Sequence, residues 1–216
     1  MTLQSIGVGH PSLKRSAVDP VERRKQIIKA AVDVFAERGF HRSRVSDIAR
    51  RAGVAHGLIY HYFASKEDLL HSIFDDNWSL FVKVLEDLRD QRDVPAPERL
   101  DRVNQLLLDA LGVVPSTIQV MIQEVSRSDR FVHPNNLAAF RRAFHAVEAI
   151  VIQGQEDETL KSDLEPTVVA HIIMGALETV CTGFLLGHLR NTEANLTRAK
   201  ATVAQTLLRG LRNTDG

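Results

Sequence analysis

Apolar residues recur along this chain at three- and four-residue intervals, and no segment alternates with the two-residue period of a half-buried strand. In the first run, Ile27, Ile28, Ala31, Val32 and Phe35 share one face, with Arg23, Arg24 and Lys25 on its first turns. Asp19 before Pro20 reads as an N-cap followed by proline at the first helical position, and Gly39 as the closing residue. A short helix is predicted from about Val45 to Ala52, ending at Gly53, with Ile48 and Ala49 inward. The next stretch, AGVAHGLIYHYF from Ala52 to Phe63, crowds two histidines and three aromatic rings into its last eight residues. Ser65 followed by Asp68 resembles a capping box and opens a long helix carrying Leu69, Leu70, Ile73, Phe74, Trp78, Phe81, Leu85 and Leu88 inward.

Prolines mark the later helices. Pro95 and Pro97 start a helix whose face is Leu100, Val103, Leu107, Ala110 and Leu111. Pro115 opens TIQVMIQEVSR, Pro134 opens about twenty residues ending near Gly154, and Pro166 opens an apolar helix. Thr192 caps a last helix with Leu196, Ala199, Val203, Leu207 and Leu211 at coiled-coil-like spacing. The expectation is an all-α fold of about nine helices. Residues 1–18 would be a flexible arm, 19–64 a three-helix helix-turn-helix unit, and 65–216 a second helical domain.

Composition narrows the function. The hydrophobic fraction is 44% and the charged fraction 25%, those of an ordinary soluble domain. Net charge is zero, yet basic residues outnumber acidic ones between Pro20 and Ala64. That asymmetry is expected where one segment meets a polyanion. The apolar stretch Val168–Gly187 is interrupted by His171, Glu178, Thr179 and Thr182, so it reads as a buried helix and no membrane span is expected. No signal peptide is read at the N-terminus, and the single Cys181 suits a reducing cytoplasm. There is no metal-ligand spacing; His56 and His61, five residues apart, lie off one helical face. No nucleophile with a plausible base appears, so neither an enzyme nor a bound cofactor is expected.

A long helix, a short helix, a turn at Gly53 and another short helix are the layout in which the last helix enters the major groove. Leu58, Ile59 and Tyr62 or Phe63 are its natural anchors, which leaves His56, Gly57, Tyr60 and His61 facing out. Gly57 would let the backbone approach DNA, and the hydroxyl and imidazoles can bond phosphates or base edges.

IIKAAVDVFAERGFHRSRVSDIARRAGVAHGLIYHYFASKEDLL carries Ala31, Phe35, Gly39 and Phe40, then Val45, Ile48, Ala49, Ala52, Gly53 and Val54. It continues with Gly57, Ile59, Tyr60, Tyr62, Phe63, Ser65, Lys66, Glu67 and Leu69. From about Arg23 to Ser72 it resembles the DNA-binding domain of TetR-family transcriptional regulators. The resemblance implies phosphate contacts from Ser43, Arg44, Tyr60, Tyr62 and Lys66, and base-edge contacts from His56, Gly57 and His61. Three positions depart from the family pattern: Ala55 and Arg44 replace common hydroxyl residues, and Leu58 a common threonine. The same segment, with QVMIQEVSRSD later, is similar to the FadR-type branch, which represses fatty-acid degradation genes and releases DNA on binding acyl-CoA.

The resemblance further implies that the second domain binds a ligand and dimerises. Leu107, Gln119, Ile122, Gln123, Arg127, Phe140, Arg141, Phe144 and Met174 are the candidate ligand contacts. Gly175, Thr179 and Gly183 form a small-residue stripe on the penultimate helix. With Leu196, Val203 and Leu207 it would meet its copy as a four-helix bundle, or else pack the two helices within one chain. A two-fold dimer suits a palindromic operator with half-sites ~34–36 Å apart. The effector would be an acyl-CoA; the alternatives are a drug-like or aromatic ligand, or a regulator without a small-molecule effector.

Overall fold

The computed structural model describes residues 19–122 and 134–212. The expected arm over residues 1–18, and the candidates Gln123 and Arg127, lie outside the described residues. The helices are α1 Pro20–Arg38, α2 Val45–Ala52, α3 His56–Tyr62, α4 Lys66–Asp90, α5 Ala96–Val113, α6 Pro115–Val120, α7 Pro134–Glu156, α8 Pro166–Leu185 and α9 Glu193–Val203. The last helix continues through a π-helical run, Ala204–Leu208, into a final turn, Arg209–Leu211.

Local chemistry sets the ends of these helices. Asp19 accepts the Val21 N–H at 3.0 Å. Ser65 accepts the Asp68 N–H at 3.0 Å, while the Asp68 carboxylate accepts the Ala64 N–H at 2.8 Å. That pair satisfies two donors at the start of α4, the aspartate reaching the N–H of Ala64, one residue ahead of the N-cap, where the acid of the usual box bonds the N-cap itself. Gly53 ends α2 at φ 66°, ψ 33°, a left-handed conformation that costs a glycine little. At α3 the N-cap is Ala55, with no side-chain cap bond, so the missing hydroxyl leaves its first turn uncapped.

Two main apolar cores result. One gathers Ile27, Phe35, Ile48, Ile59, Phe63, Leu69 and Ile73 from α1–α4, and Val120 of α6 is buried in it as well. The other joins α4, α5, α7, α8 and the chain's end through Leu85, Leu100, Val103, Val147, Ile150, Ile173, Leu177 and Leu208. Each fully buried Leu, Ile or Phe contributes about 1.5–3 kcal/mol relative to exposure. Arg99, fully buried at the start of α5 beside the second core, donates from Nη1 to the Arg89 carbonyl at 2.9 Å and to Gln153 Oε1 at 2.5 Å, fastening α5 to the end of α4 and to α7. Where α7 passes α5 there is no room for a side chain: a Cβ on Gly154 would lie 2.5 Å from the Ala96 Cβ.

The last helix corrects one expectation. Leu196 is buried against Leu108, Leu111, Cys181 and Phe184, Val203 sits in the second core, and Leu207 packs against it. Their spacing serves packing within the chain, because α9 crosses α5 with its apolar side inward. On α8, by contrast, Gly175 and Thr179 are exposed and Gly183 half-buried, in a row with Val168, Ile172 and Leu186, each more than half exposed. Among the described residues α8 alone is long and apolar enough to cross a bilayer, but Val169, Ile173, Met174, Leu177, Cys181 and Phe184 tie its other face into the protein.

Candidate nucleic-acid interface and effector cavity

Two sites follow from this packing, one at the start of α4 and one along its middle, where Asn77, Trp78, Phe81 and Val84 line a cavity. At the first, Ile59 and Phe63 anchor α3 in the N-terminal core, and Tyr62 lies half-buried against it. His56, Gly57, Tyr60 and His61 remain on the outer side, with Tyr60 half exposed. The His56 and Tyr60 rings meet edge to face at 5.4 Å, as do those of His61 and Tyr62. Short side chains and stiff rings on a helix held by two anchors make a compact reading surface. Arg44, at the entry to α2, is exposed and takes part in no ion pair among the described residues. The nearby Arg50 and Arg51 are paired instead, with Asp47 and with Glu37.

Two expected phosphate contacts are placed otherwise. Ser43 is 3% exposed and its hydroxyl donates to the Gly39 carbonyl at 2.7 Å, with the Val34 carbonyl at 3.3 Å. Lys66 donates from Nζ to the carbonyls of Phe40 at 2.8 Å and Ser43 at 3.1 Å, above the Phe40 ring. Both side chains turn inward to carbonyls at the end of α1 and in the turn that follows it, where the helix runs out of backbone donors; the Phe40 carbonyl also accepts the Ser43 N–H at 3.2 Å.

The second site is a partly open cavity of about 340 Å³ bounded by α4–α8. Leu107, Ile122, Phe140, Phe144 and Met174, candidate ligand contacts by sequence, are among the residues that line it. Sequence reasoning assigned Trp78, Phe81 and Cys181 to core or apolar helix, and all three form wall. Their helical spacing marks a buried face, and spacing alone does not tell a packed face from a cavity. Phe74 stacks on both Trp78 and Phe140, whose own rings are tilted by 31° with centroids 4.3 Å apart. Asn77, Thr117 and Glu178 are the polar residues of the wall, and the Asn77 amide is spent on the Ile73 carbonyl at 2.7 Å. Burial and the Glu178 charge push the Cys181 thiol up to about 11, so it stays protonated and apolar in character.

Two expected ligand contacts are not in the wall. Arg141 is exposed and off the lining. Gln119 turns the other way, donating from Nε2 to the Ala36 carbonyl of α1 at 2.9 Å. The helix α6 is therefore shared: Val120 fills the N-terminal core, while Thr117, Ile118 and, just past its end, Met121 and Ile122 face the cavity.

A helix-turn-helix head with exposed rings, joined by α4 and α6 to a helical domain holding an apolar cavity, defines a class of ligand-responsive DNA-binding regulators. The family described as "Bacterial regulatory proteins, tetR family" matches residues 27–73. The fatty acid degradation regulator FadR from Bacillus halodurans is 30% identical, with a TM-score of 0.75, over 88% of this chain and 97% of its own. FadR from Bacillus subtilis, in a crystal structure in complex with stearoyl-CoA, is 28% identical with a TM-score of 0.74, over 87% of this chain and 99% of its own. The fatty acid metabolism regulator protein of Bacillus subtilis (strain 168) is 29% identical over 189 residues, 87% of this chain and 95% of that protein. The chain belongs to the TetR family of transcriptional regulators.

Proposed function

We propose that this protein is a cytoplasmic repressor of fatty-acid degradation genes that releases its operator on binding a long-chain acyl-CoA. The observation that carries the ligand response is the double role of α6, one face in the DNA-binding core and the other on the cavity. A ligand that displaces Ile118 or Met121 must move Val120 and Gln119, and with them the end of α1. The acyl chain is supported by the apolar wall and by the stearoyl-CoA bound to a relative of similar fold. Operator contacts fall to Arg44, Tyr60 and Tyr62 at phosphates and to His56, Gly57 and His61 at base edges. Tyr62, half-buried, would reach out from its packed position.

The protein works as a two-fold dimer. The support is the exposed row on α8, where Val168 and Ile172 stand beside Gly175 and Thr179 without a partner in the chain's own core. A small-residue row lets a second backbone come close, and two copies then present two α3 helices to successive major grooves. The ligand acts only through its preference for one dimer spacing; a coupling of ~1–3 kcal/mol changes operator affinity some 5–150-fold. The rings of Trp78 and Phe140 in the wall, 4.3 Å apart and tilted by 31°, favour a second effector class, flat aromatic compounds.

A gel-shift titration decides between them. Operator complexes should dissociate as palmitoyl- or stearoyl-CoA is added, and operator binding unchanged at saturating acyl-CoA would sink the acyl-CoA reading. Release by aromatic carboxylates alone would select the second class.

A further inference from the structure

The last turn of α1 and the turn that follows it to Ser43 are held by four side chains. Ser43 Oγ takes the Gly39 carbonyl, Gln119 the Ala36 carbonyl, and Arg42 Nε the Arg38 carbonyl at 2.9 Å. Lys66, the first residue of α4, takes the carbonyls of Phe40 and Ser43 and lies 4.2 Å from the centre of the Phe40 ring. Two of its three N–H donors are committed, and its ammonium rests on the face of an aromatic ring. The next residue after Ser43 is Arg44, which leads into α2.

We propose that Lys66 is a positioning residue for DNA binding: it clamps the α1–α2 turn to the start of α4 and so sets where Arg44 and α2 stand, without itself neutralising a phosphate. This rests on the DNA-binding reading given above. It also gives α4 a direct grip on the reading head. A tilt of α4 moves Lys66, and Lys66 moves the turn.

Salt dependence separates the two roles, because each phosphate contact adds about 0.9 to the slope of log affinity against log salt. Wild-type protein first selects an operator from a randomised duplex library; selection of no sequence would defeat the DNA-binding reading itself. Affinities for that operator are then measured from 50 to 200 mM salt, well below the melting midpoint, for wild type, Lys66→Met and Arg44→Gln. Lys66→Met should lose roughly tenfold at every salt concentration with the wild-type slope. Arg44→Gln should give a slope shallower by about one. A Lys66→Met slope shallower by about one, or an unchanged affinity of the folded protein, would overturn the proposal. Should Lys66→Met not fold, amine-detected NMR of wild type decides. The Lys66 ammonium should be protected from solvent exchange in free protein and keep its shift on DNA binding; protection gained only with DNA refutes the clamp.

Discussion

The Gln119 side-chain amide on α6 and the Ala36 carbonyl on α1 are joined by a 2.9 Å hydrogen bond, one residue from Ile118 in the cavity wall. This bond crosses from the effector domain to the DNA-binding unit. Gln119→Leu, which keeps the bulk and removes the donor, should weaken the coupling rather than the binding of either partner. A bond of this kind carries roughly 0.5–1.5 kcal/mol, so the acyl-CoA effect on operator affinity should shrink about two- to tenfold. Gel shifts with and without palmitoyl-CoA measure it; a full wild-type response in Gln119→Leu would remove the bond from the coupling path.

Trp78 is the chain's only tryptophan and lines the cavity. Its emission should shift when an acyl chain packs against it. Ala110→Phe, which fills the same space, should abolish that shift and the acyl-CoA response while operator binding persists. An Ala110→Phe protein that still releases DNA would place the effector somewhere else.

Ile172 and Gly175 stand exposed on α8. Ile172→Arg should produce a monomer at micromolar concentration, seen by sedimentation velocity, with its folding stability changed by no more than about 0.5 kcal/mol, as usual for a surface site. A dimer that survives this change would not use the α8 row.

Ala55 caps α3 without a side-chain bond. Ala55→Ser should raise the stability of the helix-turn-helix unit by about 0.5–1 kcal/mol, within the range for N-cap hydroxyls, when followed by denaturant titration. No gain would mean that the α3 terminus is satisfied by other groups.

Burial places the Cys181 thiol at about 11 in the folded protein, above the 9.0 of a free thiol. The unfolded chain therefore gives up this proton first. The stability Cys181 contributes is full below pH 9 and is lost as pH rises towards 11. Denaturant titrations of wild type against Cys181→Ala should diverge across that window by about 1–3 kcal/mol, with wild type falling faster. Parallel curves would show that the thiolate forms in the folded state without penalty.

Helix positions and the motif of the reading head were legible because they rest on local signals. Asp19, Gly39, Gly53, Ser65 and Thr192 all sit where the ends are. The exposed ring set on α3 was legible too, since Ile59 and Phe63 fix the helix phase. The direction in which a polar side chain turns was not. Ser43, Lys66 and Gln119 all answer carbonyls of the α1–α2 region, and those partners lie 4, 26 and 83 residues away in the chain. Likewise, the repeat through Leu196, Val203 and Leu207 marks a buried stripe, and only the crossing of α9 over α5 says that the stripe is buried within one chain.

The missing side chain at Gly154 has a genetic consequence. With the Ala96 Cβ and the Leu160 side chain both inside 3 Å of where a methyl group would sit, even alanine must push two helices apart. Overpacking of this kind costs about 1–3 kcal/mol, enough to lower a melting point without preventing folding in the cold. A Gly154→Ala allele should therefore behave as a heat-sensitive regulator, silencing its target genes at low temperature and freeing them when warmed, with no inducer added.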